Sequence, residues 1–359
     1  MAFFGPEAHG NALVNAALQG AIVRNLQPST RSLKALAALL VLALGLGGSA
    51  ASAQSTSLDD LVSAVVRIKT FIAPDGTSVS NLGREREGSG IVIDESGLVL
   101  TIGYLMVEAH AAEIITNAGR SVPATIVGYD HNTGFGLLRS IEPLKLKPLT
   151  FGKSAEVKER DPVLVASFGG SGMLAAVHVA SKREFAGSWE YMVDGAIFTA
   201  PPHPAWSGAA LVSREGKLVG VGSLIVGDAS GARENNPGNM FVPTDALLPI
   251  LGDLLADGRV SGPARPWLGV NADEVGGRLF VNRVTPQSPA EKSGLRRGDV
   301  VIGIGGEVTK TLPDFYRKLW NSGTAGVSIP LDVLQSGSVR RIDVPSANRL
   351  DHLKLKSTF

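Results

Sequence analysis

From Leu58 onward the chain is a succession of short apolar runs broken by turn residues every few positions, a rhythm that excludes a helical bundle before any motif is considered. IVID, a turn at Glu95 to Gly97, and LVLT read as a hairpin. AEIIT and VPATIVGY flank a second turn at Asn117 to Arg120, and DPVLVASF, AAVHVAS, GAIFTA, AALVS, KLVGVGS and NMFVP continue the pattern. With 43 glycines and 20 prolines to make the turns, the expected fold is mainly β, an antiparallel sandwich or barrel arrangement. LDDLVSAVVRI reads as a helix-like opening, and FIAPDGTSVSNLGREREGSG as a polar loop.

At 359 residues the chain exceeds one average core, so two domains and a processed segment are expected. The clearest helix starts at Thr244, a plausible N-cap. It carries Leu247, Leu248, Leu251, Leu254 and Leu255 on one face and stops at Gly258. The linker SGPARP follows, which places a boundary near residues 260–265. Beyond it WLGV, RLFVNRV, DVVIGIGG, SIPLDVL and RRIDVP read as strands, and SPAEKSGL and TLPDFYRKLW as helices. Residues 347–359, ANRLDHLKLKSTF, read as a solvated tail.

Residues 1–53 read as a targeting segment. Arg31 and Lys34 precede the apolar run Ala35 to Leu46, and Ala51-Ser52-Ala53 supplies a small-residue cleavage site before Gln54. The run is shorter than the roughly 20 residues needed to span a bilayer. Export after cleavage near Ala53, to the periplasm or beyond, is the expectation. The residues before Arg31 are long for a signal's leading region, consistent with an extension or an early start.

Lys and Arg total 34 against 33 Asp and Glu, a formal charge of +1 that gives no electrostatic case for nucleic acid. The absence of cysteine removes disulfides, thiolate metal sites and a cysteine nucleophile. No recognised metal-ligand motif stands in the sequence, so neither a metal nor a cofactor is expected. Asp94 and Glu95 read as turn residues, and the glycine pairs at 169–170 and 305–306 as turns rather than phosphate loops. What remains is oxygen and nitrogen chemistry. Ser207, in PAWSGAAL and followed by the strand-turn-strand LVSREGKLVGVGS, sits where a tight turn would present a nucleophile.

Residues 58–262 resemble the trypsin-fold core of the Do-like (HtrA/DegP) family of exported serine proteases, and residues 265–346 that family's PDZ domain. GSGIVIDESGLVLT looks like the opening hairpin, FVPTDALLPILGDLLADGRV the closing strand and helix, and WLGV with SPAEKSGLRRGDVVIGIGGEVT the PDZ text. The resemblance implies twin six-stranded Greek-key barrels followed by a PDZ domain. It also implies a homo-oligomer, commonly a trimer. The family's histidine and aspartate positions fall on TIGYLM and TGFGLL, where this chain has Tyr104 and Gly134. A phenol with a pKa near 10 is a poor base at pH 7, and glycine has no side chain to orient one. In AWSGAAL, Ala205 replaces the glycine whose amide would face the oxyanion. His203, His110 and His131 lie close enough in sequence to serve as displaced bases, and each also fits an ordinary loop or surface position. By the same resemblance, Leu268, Gly269 and Val270 would offer amides to a peptide carboxylate, with the helix from Thr311 to Trp320 as the other groove wall. The expectation is a degenerate protease that binds peptides or unfolded protein as a chaperone, adaptor or regulator. The alternative is an active endopeptidase degrading misfolded envelope proteins, with Ser207 as nucleophile.

Overall fold

Consecutive antiparallel strands build each part of the computed structural model, which describes residues 57–355. The expected signal segment and the Ala53 site lie outside the described residues. The first six strands are β1 (Val65–Ile72), β2 (Glu85–Val92), β3 (Leu98–Ile102), β4 (Ala109–Ile115), β5 (Ser121–Tyr129) and β6 (Phe135–Ser140). They close into a barrel in the order β1-β2-β3-β6-β5-β4. The next six are β7 (Pro162–Ala166), β8 (Leu174–Gly187), β9 (Tyr191–Ala200), β10 (Ala210–Val212), β11 (Leu218–Val226) and β12 (Gly238–Pro243). These close as β10-β11-β12-β9-β8-β7. The expected twin six-stranded barrels therefore form.

Closure follows from alternation. Val66 and Ile68 point inward from β1 to join Val99, Ile114 and Leu138 inside the first barrel, while Val165, Val179, Ile197 and Phe241 fill the second. Each such residue leaves solvent almost completely, worth about 1.5–3 kcal/mol apiece. Truncating the fully buried Ile68 to alanine would cost roughly 2–5 kcal/mol. A further apolar cluster, including Leu100, Phe135, Tyr191, Phe198 and Met240, joins the two barrels.

The last part is a sheet of β13 (Val270–Val275), β14 (Arg278–Val284), β15 (Val300–Ile304), β17 (Ser328–Gln335) and β18 (Ser338–Pro345), with β16 (Glu307–Val308) paired to β15. The helix Leu312–Asn321 packs on it. Thr311 caps that helix by accepting from the Asp314 amide, and Leu312, Phe315, Tyr316 and Leu319 are all buried. This is the expected PDZ arrangement. Among the described residues no helix is long and apolar enough to cross a membrane.

Several elements differ from the sequence reading, each for a local reason. LDDLVSAVVRI is helical only over Leu58–Ser63, because the β-branched pair Val65-Val66 enters β1 and pairs with Ile91 and Gly90. Part of the supposed polar loop is strand, since Glu85 to Gly88 pair with β1. The leucine-striped helix is shorter than expected: Thr244–Ala246 is a 3-10 turn and the α-helix is Leu251–Asp257. Thr244 does not cap it, because its hydroxyl donates to the Leu218 carbonyl, and Leu248 and Leu255 face solvent at 51% and 43% exposure. Gly258 ends the helix in the left-handed conformation, as expected. β8 runs on to Gly187 and β9 begins at Tyr191, so a long hairpin arm projects beyond the runs that were legible as strands.

The C-terminal residues up to 355 are a strap, not a solvated tail. Ala347 exchanges backbone hydrogen bonds with Trp267 at 3.0 Å, and Arg349–His352 forms a short helix. Arg349 Nη1 donates to the Trp189 carbonyl at 2.8 Å. The Lys354 amide donates to Glu108 Oε1 at 2.8 Å, tying the strap to the first barrel.

Candidate functional site

The turn that carries Ser207 is held from both barrels. Gly208 follows it at φ +72°, and a Cβ there would lie 1.9 Å from the Ser89 carbonyl oxygen, so only glycine fits. The Gly208 amide donates to the Gly222 carbonyl, and the Ser89 amide donates to the Ser207 carbonyl, both at 2.8 Å. Ser207 is half-buried and lines an open cleft of about 460 Å³ together with Arg67, Ser89, Phe168, Ala205 and Trp206.

Tyr104 reaches this serine. It sits in the 3-10 turn Gly103–Leu105 between β3 and β4, and its Oη is 2.8 Å from Ser207 Oγ and 2.9 Å from the Ser223 carbonyl oxygen. One phenolic proton cannot serve both partners. The carbonyl can only accept, so when Tyr104 donates to Ser223 the Ser207 hydroxyl donates to Tyr104. Acting as a base in that arrangement would require the tyrosinate. Burial pushes the phenol up to about 12, with bonds from Ser207 and Trp206 pulling weakly the other way. About one molecule in 10⁵ would carry the tyrosinate at pH 7.

Gly134 lies beside this turn, accepting from the Gly103 amide at 2.6 Å. Its φ is +83°, and a Cβ built on it would lie 2.7 Å from Tyr191 Oη. Tyr191 in turn donates to the Thr133 carbonyl at 2.8 Å. A phenol from the second barrel thus fills the volume that an aspartate at 134 would need.

The Ala205 amide is committed elsewhere, donating to His203 Nδ1 at 3.1 Å. His203 Nδ1 is therefore an acceptor, which fixes the neutral tautomer, and burial lowers the imidazole's pKa. The Ala205 carbonyl accepts from the Ser167 hydroxyl, and the His203 backbone is pinned to Asn239, its amide donating to Oδ1 at 2.6 Å. His131 packs between Tyr129, 2.8 Å from its Nδ1, and Arg349. Burial, with Arg349 adding to it, holds His131 well below its ordinary value. His110 is exposed on β4. Tyr104 is the side-chain hydrogen-bond partner of Ser207 Oγ among the described residues, and none of the three histidines bonds to it. Among the described residues no three histidines or carboxylates converge into a metal-holding set.

The three amides expected at the second site point to one side. Gly269 has φ +84° and Ser288 Cβ 2.3 Å from where its own Cβ would be, so glycine alone permits the bend that turns successive amides to one side. Leu268, Gly269 and Val270 donate their amides at 3.0, 2.7 and 2.8 Å, and all three go to the carboxylate of Glu190, at the tip of the β8–β9 hairpin. Burial raises the Glu190 carboxyl, while the three amides and Arg349 pull the other way.

Sequence reasoning missed three residues here. Arg86, buried in what read as a polar loop, donates to the carbonyls of Tyr104 and Val107 at 2.8 and 3.0 Å and holds the turn that carries Tyr104. Burial lowers its guanidinium to about 10. Tyr191 and Glu190 act across long sequence distances. The only local signal was SWEY, aromatic residues around one acid at a hairpin tip.

Comparison with known proteins agrees with this layout. Residues 88–221 match the model described as a trypsin-like peptidase domain, and residues 266–345 that of a PDZ domain. The chain is 29% identical over 255 residues to a "Probable periplasmic serine endoprotease DegP-like" of Rhizobium meliloti (strain 1021), covering 65% of this chain and 48% of that protein. It is 30% identical over 243 residues to a protein so named in Marinomonas sp. (strain MWYL1), covering 62% and 49%. A solved structure described as "HtrA-type protease AlgW with decapeptide" aligns at a TM-score of 0.49 and 21% identity, over 84% of this chain and 100% of that one. The chain spans about half the length of these two curated relatives.

Proposed function

This chain is a homologue of the DegP-like serine proteases, with a trypsin-like peptidase domain followed by a PDZ domain, and we propose that it binds peptide or unfolded-protein segments without cleaving them. One observation carries the reading: Ser207 Oγ is hydrogen-bonded to a buried phenol at 2.8 Å where hydrolysis needs an imidazole. Loss of a triad member costs several orders of magnitude, and a lost oxyanion donor about 10² to 10³ more. The occupied Gly134 volume and the engaged Ala205 amide act in the same direction.

The partner is a peptide chain end or an unfolded segment, read by the amides of Leu268, Gly269 and Val270 and by strand addition to β13. The relatives are named as periplasmic, and together with the signal pattern this supports an exported protein acting in envelope quality control as a chaperone, adaptor or regulator. A homo-oligomer, a trimer by family resemblance, belongs to the same reading.

A second reading has its own support. The curated relatives are named serine endoproteases, and Ser207 keeps its tight turn in an open cleft, which favours an active endopeptidase with a displaced base. A serine-directed fluorophosphonate probe separates the two. We expect no more labelling of the wild type than of Ser207→Ala, with no cleavage of unfolded casein. Stoichiometric labelling that disappears in Ser207→Ala would establish the protease reading instead.

A further inference from the structure

The tip of the β8–β9 hairpin lies in the PDZ groove as a peptide would. The Ser188 carbonyl accepts from the Ala272 amide at 2.9 Å, and two residues back along β13 the Val270 amide reaches the Glu190 carboxylate, so the tip lies along this strand. The opposite wall closes on it: Tyr316 donates to the Gly187 carbonyl at 2.6 Å and accepts from the Glu190 amide at 3.0 Å. Ala186 and Met192, flanking the tip, pack against the apolar core of the sheet. The Glu190 carboxylate completes the arrangement by taking all three amides of the carboxylate loop.

Glu190 itself is in an unfavourable conformation. Its φ is +54°, a region that side chains larger than asparagine seldom occupy, and the residue is only 4% exposed. An ordinary hairpin tip would put glycine there and leave the groove empty. The strain and the burial of a charge are both compensated by one set of contacts, the loop amides and Tyr316.

We propose that Glu190 is a built-in substitute for a peptide's terminal carboxylate, so that the groove is closed by the chain's own hairpin and opens only when an incoming carboxylate displaces it. The ligand class is a free chain end; an amidated end or an internal segment lacks the group that competes. This rests on the reading of the domain as a peptide binder and adds how that site is regulated.

The full chain can be titrated with a fluorescent library of short peptides of randomised C-terminal sequence, in free-acid and amidated forms. Glu190→Gly removes the carboxylate while suiting the left-handed backbone, and Glu190→Gln keeps the shape without the charge. The free-acid pool should bind Glu190→Gly at least about tenfold more tightly than wild type, with Glu190→Gln between them. Amidated peptides should gain nothing. Backbone hydrogen exchange at Leu268, Gly269 and Val270 should accelerate in Glu190→Gly and be slowed again by free-acid peptide. Equal binding by wild type and both variants would overturn the proposal while leaving the peptide-binding reading intact. No binding by any of the three would overturn both, because a loop that takes no carboxylate with Glu190 gone is not being blocked by it.

Discussion

The serine site and the carboxylate loop are each filled by a side chain of the same molecule, but the two fillings differ in kind. At Ser207 the filler is Tyr104, a buried neutral phenol bonded also to the Ser223 carbonyl, and the neighbouring aspartate volume is taken by Tyr191. Reversal there needs new side chains. At Leu268 to Val270 the filler is a carboxylate, the group that a PDZ loop holds at a peptide's end. A site can be closed by substituting its chemistry or by imitating its ligand, and only the second closure can be undone by binding.

The contrast is most exposed to test at the serine. Tyr104→His should not restore hydrolysis: without an orienter at 134 and with the Ala205 amide held by His203, activity on unfolded casein should stay below about 10⁻⁴ of an intact triad. Recovery of measurable turnover would put the two sites on the same footing. Next in size, Gly134→Asp places a side chain 2.7 Å from Tyr191 Oη at φ +83° and should lower stability by about 2–4 kcal/mol in denaturant titration. Adding Tyr191→Phe should recover part of that loss, and a neutral single mutant would mean that the aspartate's place is still available. Tyr316→Phe removes a hydroxyl bonded on both sides, to Gly187 and Glu190, and should cost about 1–2 kcal/mol, read as faster exchange of the Glu190 amide.

The smallest effect concerns the strap. Burial raises the Glu108 carboxyl, but the hydroxyls and amides of Ser78 and Thr77 and the Lys354 amide outweigh it and hold the group at about 2. A carboxyl depressed on folding stabilises above its unfolded value of 4.5 and loses that contribution as pH falls through its folded one. The Lys354 amide should therefore keep its exchange protection from pH 7 to about pH 4 and lose it toward pH 2. Loss already at pH 5 would show that the strap is not held by this carboxylate.

Much of this molecule was legible in advance because glycine and turn chemistry are local. The tight turn at Ser207 was expected from PAWSGAAL, and it forms with Gly208 at φ +72°. The changes at Tyr104, Gly134 and Ala205 were equally plain as substitutions. What could not be read was what fills the space they leave, because Tyr191 meets Gly134 from the other barrel. Glu190 meets its partners from residues 268–270, which no window on the chain contains. Arg86 was hidden differently: in EREGSG a charge looks solvated, yet its stem is buried and its donors reach two carbonyls. The shortened Leu251 helix shows the opposite error, a leucine stripe at helical spacing that the 3-10 turn at Thr244 interrupts.

The strap through Arg349 and Lys354 has a consequence for how much free ligand the groove would need. It joins the end of the last sheet to the first barrel by hydrogen bonds, and the hairpin is part of the second, so Glu190 and its loop, on one chain, are held in one neighbourhood. A tethered competitor acts at an effective concentration on the order of millimolar for short connections. A free chain end then needs a concentration that is high relative to its own Kd to displace it. If Glu190 is displaced as proposed, the threshold for opening is set by this connectivity as well as by the fit of the incoming chain end.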